Sequence, residues 1–466
     1  MIDDAAVRPT AADLLRLPGP RRHLARVAAD LASGLGCLWL LPGHEVERGR
    51  ADLYLDRLLA DLDDVVEVPG PGGGRAARAD GPAERADEEL WPGVDAFGDV
   101  GFDYDDGLGG WTAPAAPAPA PPLGTPSLTE RLAGQLGLVG DPVEELVDGA
   151  DLRAPVVIVR AWREDDPVAL SRLMRRLQAA VKNAGLPPAR RPRLLVAARP
   201  EDLAPDAPEA LDPGLCAVHW WWSVWGRLDT ATLVAEAEAD GRSAHGRHTA
   251  GKRILAAVRH ETVVEVCGPD LPLAARLTGR WNGRTDDLVP ALTACRPAAG
   301  AAPPPAANAA AAYAPSPEPS LRPAWQAGLL DSWEGQVRCS PVEWLAGADG
   351  RDRLDKLVWQ AQNRVLLPLI DDARARLVAL LPQAAARGAR HLAATYVDRD
   401  GGRGGPADLA SMELGDIWTA VRRRDVRFGT AQYNRLSTLR TSRNKLAHRR
   451  PLTDRELGDL VDALTG

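Results

Sequence analysis

Near the C-terminus, Arg443-Asn444-Lys445-Leu446-Ala447-His448 sets a guanidinium and an imidazole apart by four intervening residues. An Arg stays charged at any physiological pH and its planar fork fits a phosphate, whereas a His titrates near neutrality and can take or give a proton. Those two groups suit cleavage of RNA by its own 2′-hydroxyl. That reaction needs a proton removed from the 2′-OH, a phosphorane stabilised and the leaving 5′ oxygen protonated, and it needs no metal. No cofactor is called for.

The surroundings place this string at the end of a helix. Leu436, Leu439 and Leu446 recur at helical spacing, Pro451 ends the run, and Thr453 with Glu456 forms a capping box for one more helix. At 100° per residue Arg443 shares the stripe of Leu439 and Leu446, while His448 lies about 140° from it and shares a face with Asn444. An isolated guanidinium is costly to bury, so Arg443 must be paired or must face a seam. Glu413 and Asp416 on the preceding helix are the candidate acids, and a dimer interface where two such helices meet is the other solution. His448 falls in the last turn, where the macrodipole favours imidazolium. The competing reading leaves both residues structural, with Arg443 paired to a carboxylate and His448 capping the helix.

The string resembles the Arg-x4-His motif of the HEPN superfamily, with a polar residue directly after the Arg as in that family's active members. The resemblance covers roughly the last third of the chain and rests chiefly on RNKLAH. It implies an all-α bundle, a homodimer through the C-terminal helices and metal-independent endoribonuclease activity of the kind found in bacterial stress or anti-phage systems. Arg443 then clamps phosphate, His448 is the acid/base and Asn444 positions the substrate. Non-catalytic HEPN modules that dimerise or bind partners give the alternative.

Charge agrees with an RNA-facing C-terminus. The 466 residues carry a net charge of −8, but 421 to 450 hold ten basic residues against one acid, Asp425. Arg422, Arg423, Arg424, Arg440, Lys445 and Arg449 are the expected RNA contacts, in a patch that surrounds the motif. A solvated helix face accounts equally for such a run. Five scattered cysteines without a Cys-x-x-Cys pair read as buried small hydrophobes of a reducing cytoplasm. The start lacks the basic and apolar regions of a signal peptide, and no apolar run approaches 18 residues, so a cytoplasmic protein off the membrane is expected.

The rest of the chain must position the motif. Short apolar runs, 37 to 41 (CLWLL), 156 to 159 (VVIV), 193 to 198 (RLLVAA) and 262 to 267, alternate with amphipathic helices at 21 to 33, 127 to 148 and 167 to 184. That predicts an α/β domain over 1–68 and 127–298 with a mainly parallel sheet. Its first strand, loop and helix resemble a P-loop in layout. The chemistry departs from it: Gly43 and Gly49 are six apart, Arg50 stands where a Lys belongs and Ala51 replaces the hydroxyl residue, which implies a degenerate nucleotide site. The GxxxxGK string at 246 to 252 is a chance match, because it follows a helical stretch rather than a strand. Around Trp220 to Trp225 the indoles are dense enough for a protein-partner or base-stacking surface, although strand packing is the commoner use. Residues 69–126 are an acidic, Pro/Gly/Ala-rich insertion that cannot form much core, 299–322 is a linker, and 323–466 is expected to be helical throughout.

Overall fold

The computed structural model describes residues 10–71, 126–151, 154–240, 249–295, 313–397 and 406–466. Most of the 69–126 insertion, the start of the 299–322 linker, the Gly-rich loop at 400 to 405 and the start of the GxxxxGK string lie outside them.

The expected parallel sheet is present. Strands β1 (Gly36–Leu40), β2 (Val65–Glu67), β3 (Val156–Arg160), β4 (Arg193–Ala198) and β5 (Cys216–Trp220) lie in the order β2-β3-β4-β1-β5, every pair parallel. Parallel strands are connected over their faces, so both faces are covered and the strands read as unbroken apolar runs. Cys37, Trp39, Ile158 and Leu195 point to the layer formed by α1 (Ala11–Arg16), α2 (Pro18–Ala32), α3 (Gly43–Glu47) and α4 (Arg50–Leu59). Leu38, Leu40, Val157 and Val196 point to α5 (Leu128–Leu136), α6 (Pro142–Asp148) and α7 (Pro167–Asn183). The single helix expected over 127 to 148 is thus two, parted at Gly137, which takes the left-handed conformation at φ 70°, and restarted by the Asp141 cap.

After the sheet come α8 (Arg227–Asp240), α9 (Ala250–Cys267), α10 (Leu271–Arg280), α11 (Leu288–Ala294) and α12 (Arg322–Gln326), then the hairpin β6 (Leu330–Trp333) and β7 (Gln336–Cys339). The chain ends with α13 (Pro341–Trp344), α14 (Gly350–Ala384), α15 (Ala389–Tyr396), α16 (Leu414–Arg422), α17 (Thr430–Ala447) and α18 (Asp454–Thr465). Two expectations fail here. Residues 262 to 267 are the last turns of α9 rather than a strand: Val263, Val264, Val266 and Cys267 are all buried, and a helix enclosed on every side leaves no polar stripe to betray its period. The region after the linker is not wholly helical either. Glu334 and Gly335, at φ 49° and 70°, form the tight turn of the β6–β7 hairpin, since two successive left-handed residues match the twist of paired strands.

These elements interlock the two halves of the chain. Leu321, Trp325 and Leu330 join the apolar core of Trp39 and Tyr54 over the sheet. Val258 of α9 joins the core of Leu366, Ile370, Leu436 and Leu460 in the C-terminal bundle. Between them Arg227 binds Glu261 and Glu265, Arg338 binds Glu265, and Arg364 reaches Glu261 at 3.0 Å. Arg227 and Arg338 also flank the Trp333 ring, each 5.1 Å from its centroid. The linker is therefore not the packing boundary: α9 packs with the bundle and α12 with the sheet.

The tryptophan-rich stretch follows the packing reading rather than the partner-surface alternative. Trp221, Trp222 and Trp225 are buried, with Trp221 stacked on Tyr54 at 4.6 Å, and only Trp220 stays half-buried at the surface. The indoles line the sheet core because β5 is followed by a turn that folds back over its end, so they do not present a free partner surface. Among the described residues no helix is long and apolar enough to cross a membrane.

Candidate active site

Helix α17 buries Leu436, Leu439, Ser442 and Leu446. Its C-terminus is fixed from two sides. The Trp359 indole donates to the Leu446 carbonyl at 2.6 Å, and the Gln362 amide both donates to the Leu452 carbonyl at 3.0 Å and accepts from its N–H at 2.6 Å. His448 is the C-cap, its N–H donating to the Asn444 carbonyl at 3.0 Å, and Arg449 turns the chain at φ 58° before Pro451. A long, well-anchored helix therefore presents its last turn on a rigid base.

Arg443 is not buried. Helix α16 runs antiparallel beside α17, with Trp418 against Tyr433 and Arg440 over the Trp418 ring at 5.2 Å, and it begins at Leu414, level with Arg443. The stripe loses its cover where α16 starts, so the Arg443 side chain reaches solvent and is 47% exposed. Of its two expected acids, Glu413 stands 4.0 Å away and is itself 64% exposed, beyond hydrogen-bonding distance. The Asp416 carboxylate accepts from the Glu413 N–H at 3.1 Å, closing a capping box at the start of α16. Asn444 is half-buried and His448, Arg449 and Arg450 are exposed. Arg443 and His448 thus both reach solvent from the last two turns of one helix, held by no buried carboxylate among the described residues.

The basic patch is differently disposed from the sequence expectation. Arg422, Arg423 and Arg424 are exposed, but they lie at the far end of α16, roughly 13 Å of helical rise from Glu413, beside the start of α17. They do not surround the motif. Lys445 is bound to Glu456 at 2.5 Å, and Arg440 is spent on Trp418. Of the expected RNA contacts only Arg449 stands free next to His448, and Arg450, which sequence reasoning passed over, stands with it. Trp359 and Gln362 were also passed over, because nothing local in sequence ties residues 87 and 90 positions from their partners to the end of α17.

The loop after β1 is closed. The Gly43 N–H, which in an open loop would face a ligand, donates to the Gln326 side-chain carbonyl, and His44 Nδ1 lies 3.2 Å from the Gln326 backbone oxygen. The Glu45 carboxylate occupies the interior, receiving Arg50 Nη2 at 2.6 Å and the Tyr54 hydroxyl at 3.0 Å. Burial alone would raise its pKa, but hydrogen bonds from His44 and Arg50 outweigh that and hold it down at about 2. Arg160, at the end of β3, is likewise committed to Asp52, Asp56 and Glu67. The crevice at the end of β1, where doubly wound sheets usually hold ligands, retains a cavity of about 90 Å³ lined by Glu45, Arg50, Trp221, Trp325 and Asp331. Burial pushes the Asp331 carboxyl up to about 7, against the N–H groups of Ser223 and Ser332 that donate to it.

Among the described residues no group of three or more His, Cys, Asp or Glu is placed to hold a metal ion. No family model, curated protein or solved structure matches the chain significantly.

Proposed function

We propose that the C-terminal bundle is a HEPN-like, metal-independent endoribonuclease, working as a homodimer in which the ends of two α17 helices share one cleft. Arg443 clamps the scissile phosphate, His448 transfers the proton and Asn444 orients the substrate, with Arg449 and Arg450 holding the flanking backbone. One observation carries this reading: Arg443 and His448 are both solvent-accessible at the pinned end of α17, although Arg443 starts from a core-facing position. A purely structural Arg would be expected to seal against a carboxylate, and this one meets Glu413 only at 4.0 Å.

The α/β half is, in the same proposal, a degenerate P-loop-like regulatory domain of a cytoplasmic protein. Its strand order leaves the end of β1 at the usual ligand position, while Glu45 and Gln326 fill the loop that would cradle phosphate.

A second reading has its own support. Lys445 and Arg440, two of the expected RNA contacts, are engaged within the bundle, which suits a non-catalytic dimerisation module. Incubation of the purified protein with a mixed RNA pool in EDTA separates the two. The endonuclease reading predicts 2′,3′-cyclic phosphate ends and a loss of roughly 10²- to 10⁴-fold in rate for His448→Ala. Intact RNA with wild type, or equal cleavage by the variant, would leave the dimerisation module standing.

A further inference from the structure

On the far side of α17 from Asn444, a groove of about 600 Å³ runs between α14, α17 and α18. Arg435 lies about 12 Å of helical rise before Arg443 and roughly 80° around from it, so this groove is not the motif's cleft. Two guanidiniums face into it, Arg435 from α17 and Arg376 from α14. Arg435 Nε and Nη2 are buried and have no hydrogen-bond partner among the described residues. Burial, and then the charge of Arg376, hold the pKa of Arg435 below its ordinary value. Asp459 and Asp462 line the opposite wall, yet neither forms an ion pair with Arg435 or Arg376 among the described residues. Two like charges side by side, one with buried N–H groups lacking acceptors, are an arrangement that a bound anion relieves on both counts.

We propose that this groove binds the phosphate group of a small molecule, with Arg435 and Arg376 as its two clamps. A phosphate carries enough negative charge to neutralise both guanidiniums and presents oxygens in several directions, so it can accept from forks arriving off two different helices, whereas a carboxylate brings a single charge and leaves one guanidinium unneutralised. The acidic wall of Asp459 and Asp462 repels a long polyanion and suits the hydroxyl or amino donors of a compact ligand. Leu380, exposed at the rim, offers an apolar contact for the rest of it. The site does not depend on the endonuclease reading, because it shares no residue with the motif.

The test is the thermal midpoint of the full chain titrated at constant ionic strength with inorganic phosphate, with adenosine 5′-monophosphate and with a short RNA. The midpoint should rise with phosphate or the monophosphate but not with chloride; a larger response to the monophosphate assigns a phosphomonoester, an equal one free phosphate. In Arg435→Gln the apparent Kd should weaken at least tenfold while the midpoint without ligand stays level or rises. In Arg376→Glu the new carboxylate should satisfy Arg435 internally, raising the ligand-free midpoint and removing the response. His448→Ala should respond as wild type does. A flat wild-type titration, a response confined to RNA, or a response retained in both groove variants would overturn the proposal.

Discussion

The loop after β1 and the end of α17 each place an Arg and a His close together in sequence, and they come to opposite ends. At the sheet, Arg50 and His44 converge on Glu45, a carboxylate supplied by the same loop, and the site is closed. At the bundle, Arg443 and His448 find no buried carboxylate among the described residues and stay in water. The two sites have the same cationic residue types and differ in whether the chain supplies the anion. A phosphate-sized ligand can compete for the second pair, whereas at the first it would have to displace a buried carboxylate whose removal strands a half-buried guanidinium.

The largest effect should come from breaking the closed site. Glu45→Ala leaves Arg50 and the Tyr54 hydroxyl without their acceptor; loss of one partner of a fully buried ion pair costs about 3–5 kcal/mol, and the half-buried Arg50 sets that as the upper bound here. Chemical denaturation should show that loss, and the variant should not gain ATP hydrolysis, since the loop still lacks a Lys and a hydroxyl ligand for magnesium. Acid titration follows from the same geometry. Glu45, with its folded pKa lowered to about 2, contributes stability that is full above its unfolded value and is lost as pH falls through about 2. Asp331 works in the opposite sense: its folded pKa is raised to about 7, so its contribution is full below roughly pH 4 and is lost as pH rises towards 7. Asp331→Asn keeps an acceptor for Ser223 and Ser332. It should raise stability at pH 8, by at most roughly 4 kcal/mol, and flatten the pH dependence between 4 and 7, as unfolding midpoints across that range would report.

How far such contrasts can be read without coordinates depends on where the deciding partner lies in the chain. Three of the five sheet strands and the motif helix were legible, because a parallel strand buried on both faces and a helix with a leucine stripe each have a local signature; the short β2 left none, and β5 ends where the Trp-rich run begins. The end of α9 was not, since Val263 to Cys267 are buried on all sides and carry no alternation between helix and strand. At the candidate site, Arg443, Asn444, His448 and the nearness of Glu413 were legible from spacing. That Arg443 escapes burial was not, because it depends on where α16 begins, set by the Glu413–Asp416 capping box on another helix. Nor was the closing of the β1 loop, which Gln326 completes from 283 residues away.

The open site can be loosened without touching its chemistry. Gln362→Met keeps the side-chain volume on α14 but abandons both hydrogen bonds to Leu452, leaving a buried N–H and carbonyl unsatisfied at a cost of about 1–3 kcal/mol each way. If pinning of the α17 terminus matters, RNA cleavage should fall further than folded fraction does, with kcat more affected than KM. Equal losses in stability and activity would reduce Gln362 to a packing residue and weaken the claim that a rigid base distinguishes this end of the helix.

The smallest expected effect is the most discriminating. Glu413 and Arg443 are both largely exposed and 4.0 Å apart, so their attraction is screened and Glu413→Gln should change stability by no more than about 0.5 kcal/mol. What it changes is the competition for Arg443. With the carboxylate gone, a phosphate clamp should bind RNA more tightly, by roughly two- to fivefold at low salt, and the gain should shrink as ionic strength rises. Arg443→Gln should lower the salt dependence of that binding by about one phosphate contact, and combining it with Glu413→Gln should show no further gain. An unchanged affinity in Glu413→Gln, measured by fluorescence anisotropy on a short RNA, would mean that Arg443 does not meet phosphate, and the contrast between an open and a closed pair would lose its functional content.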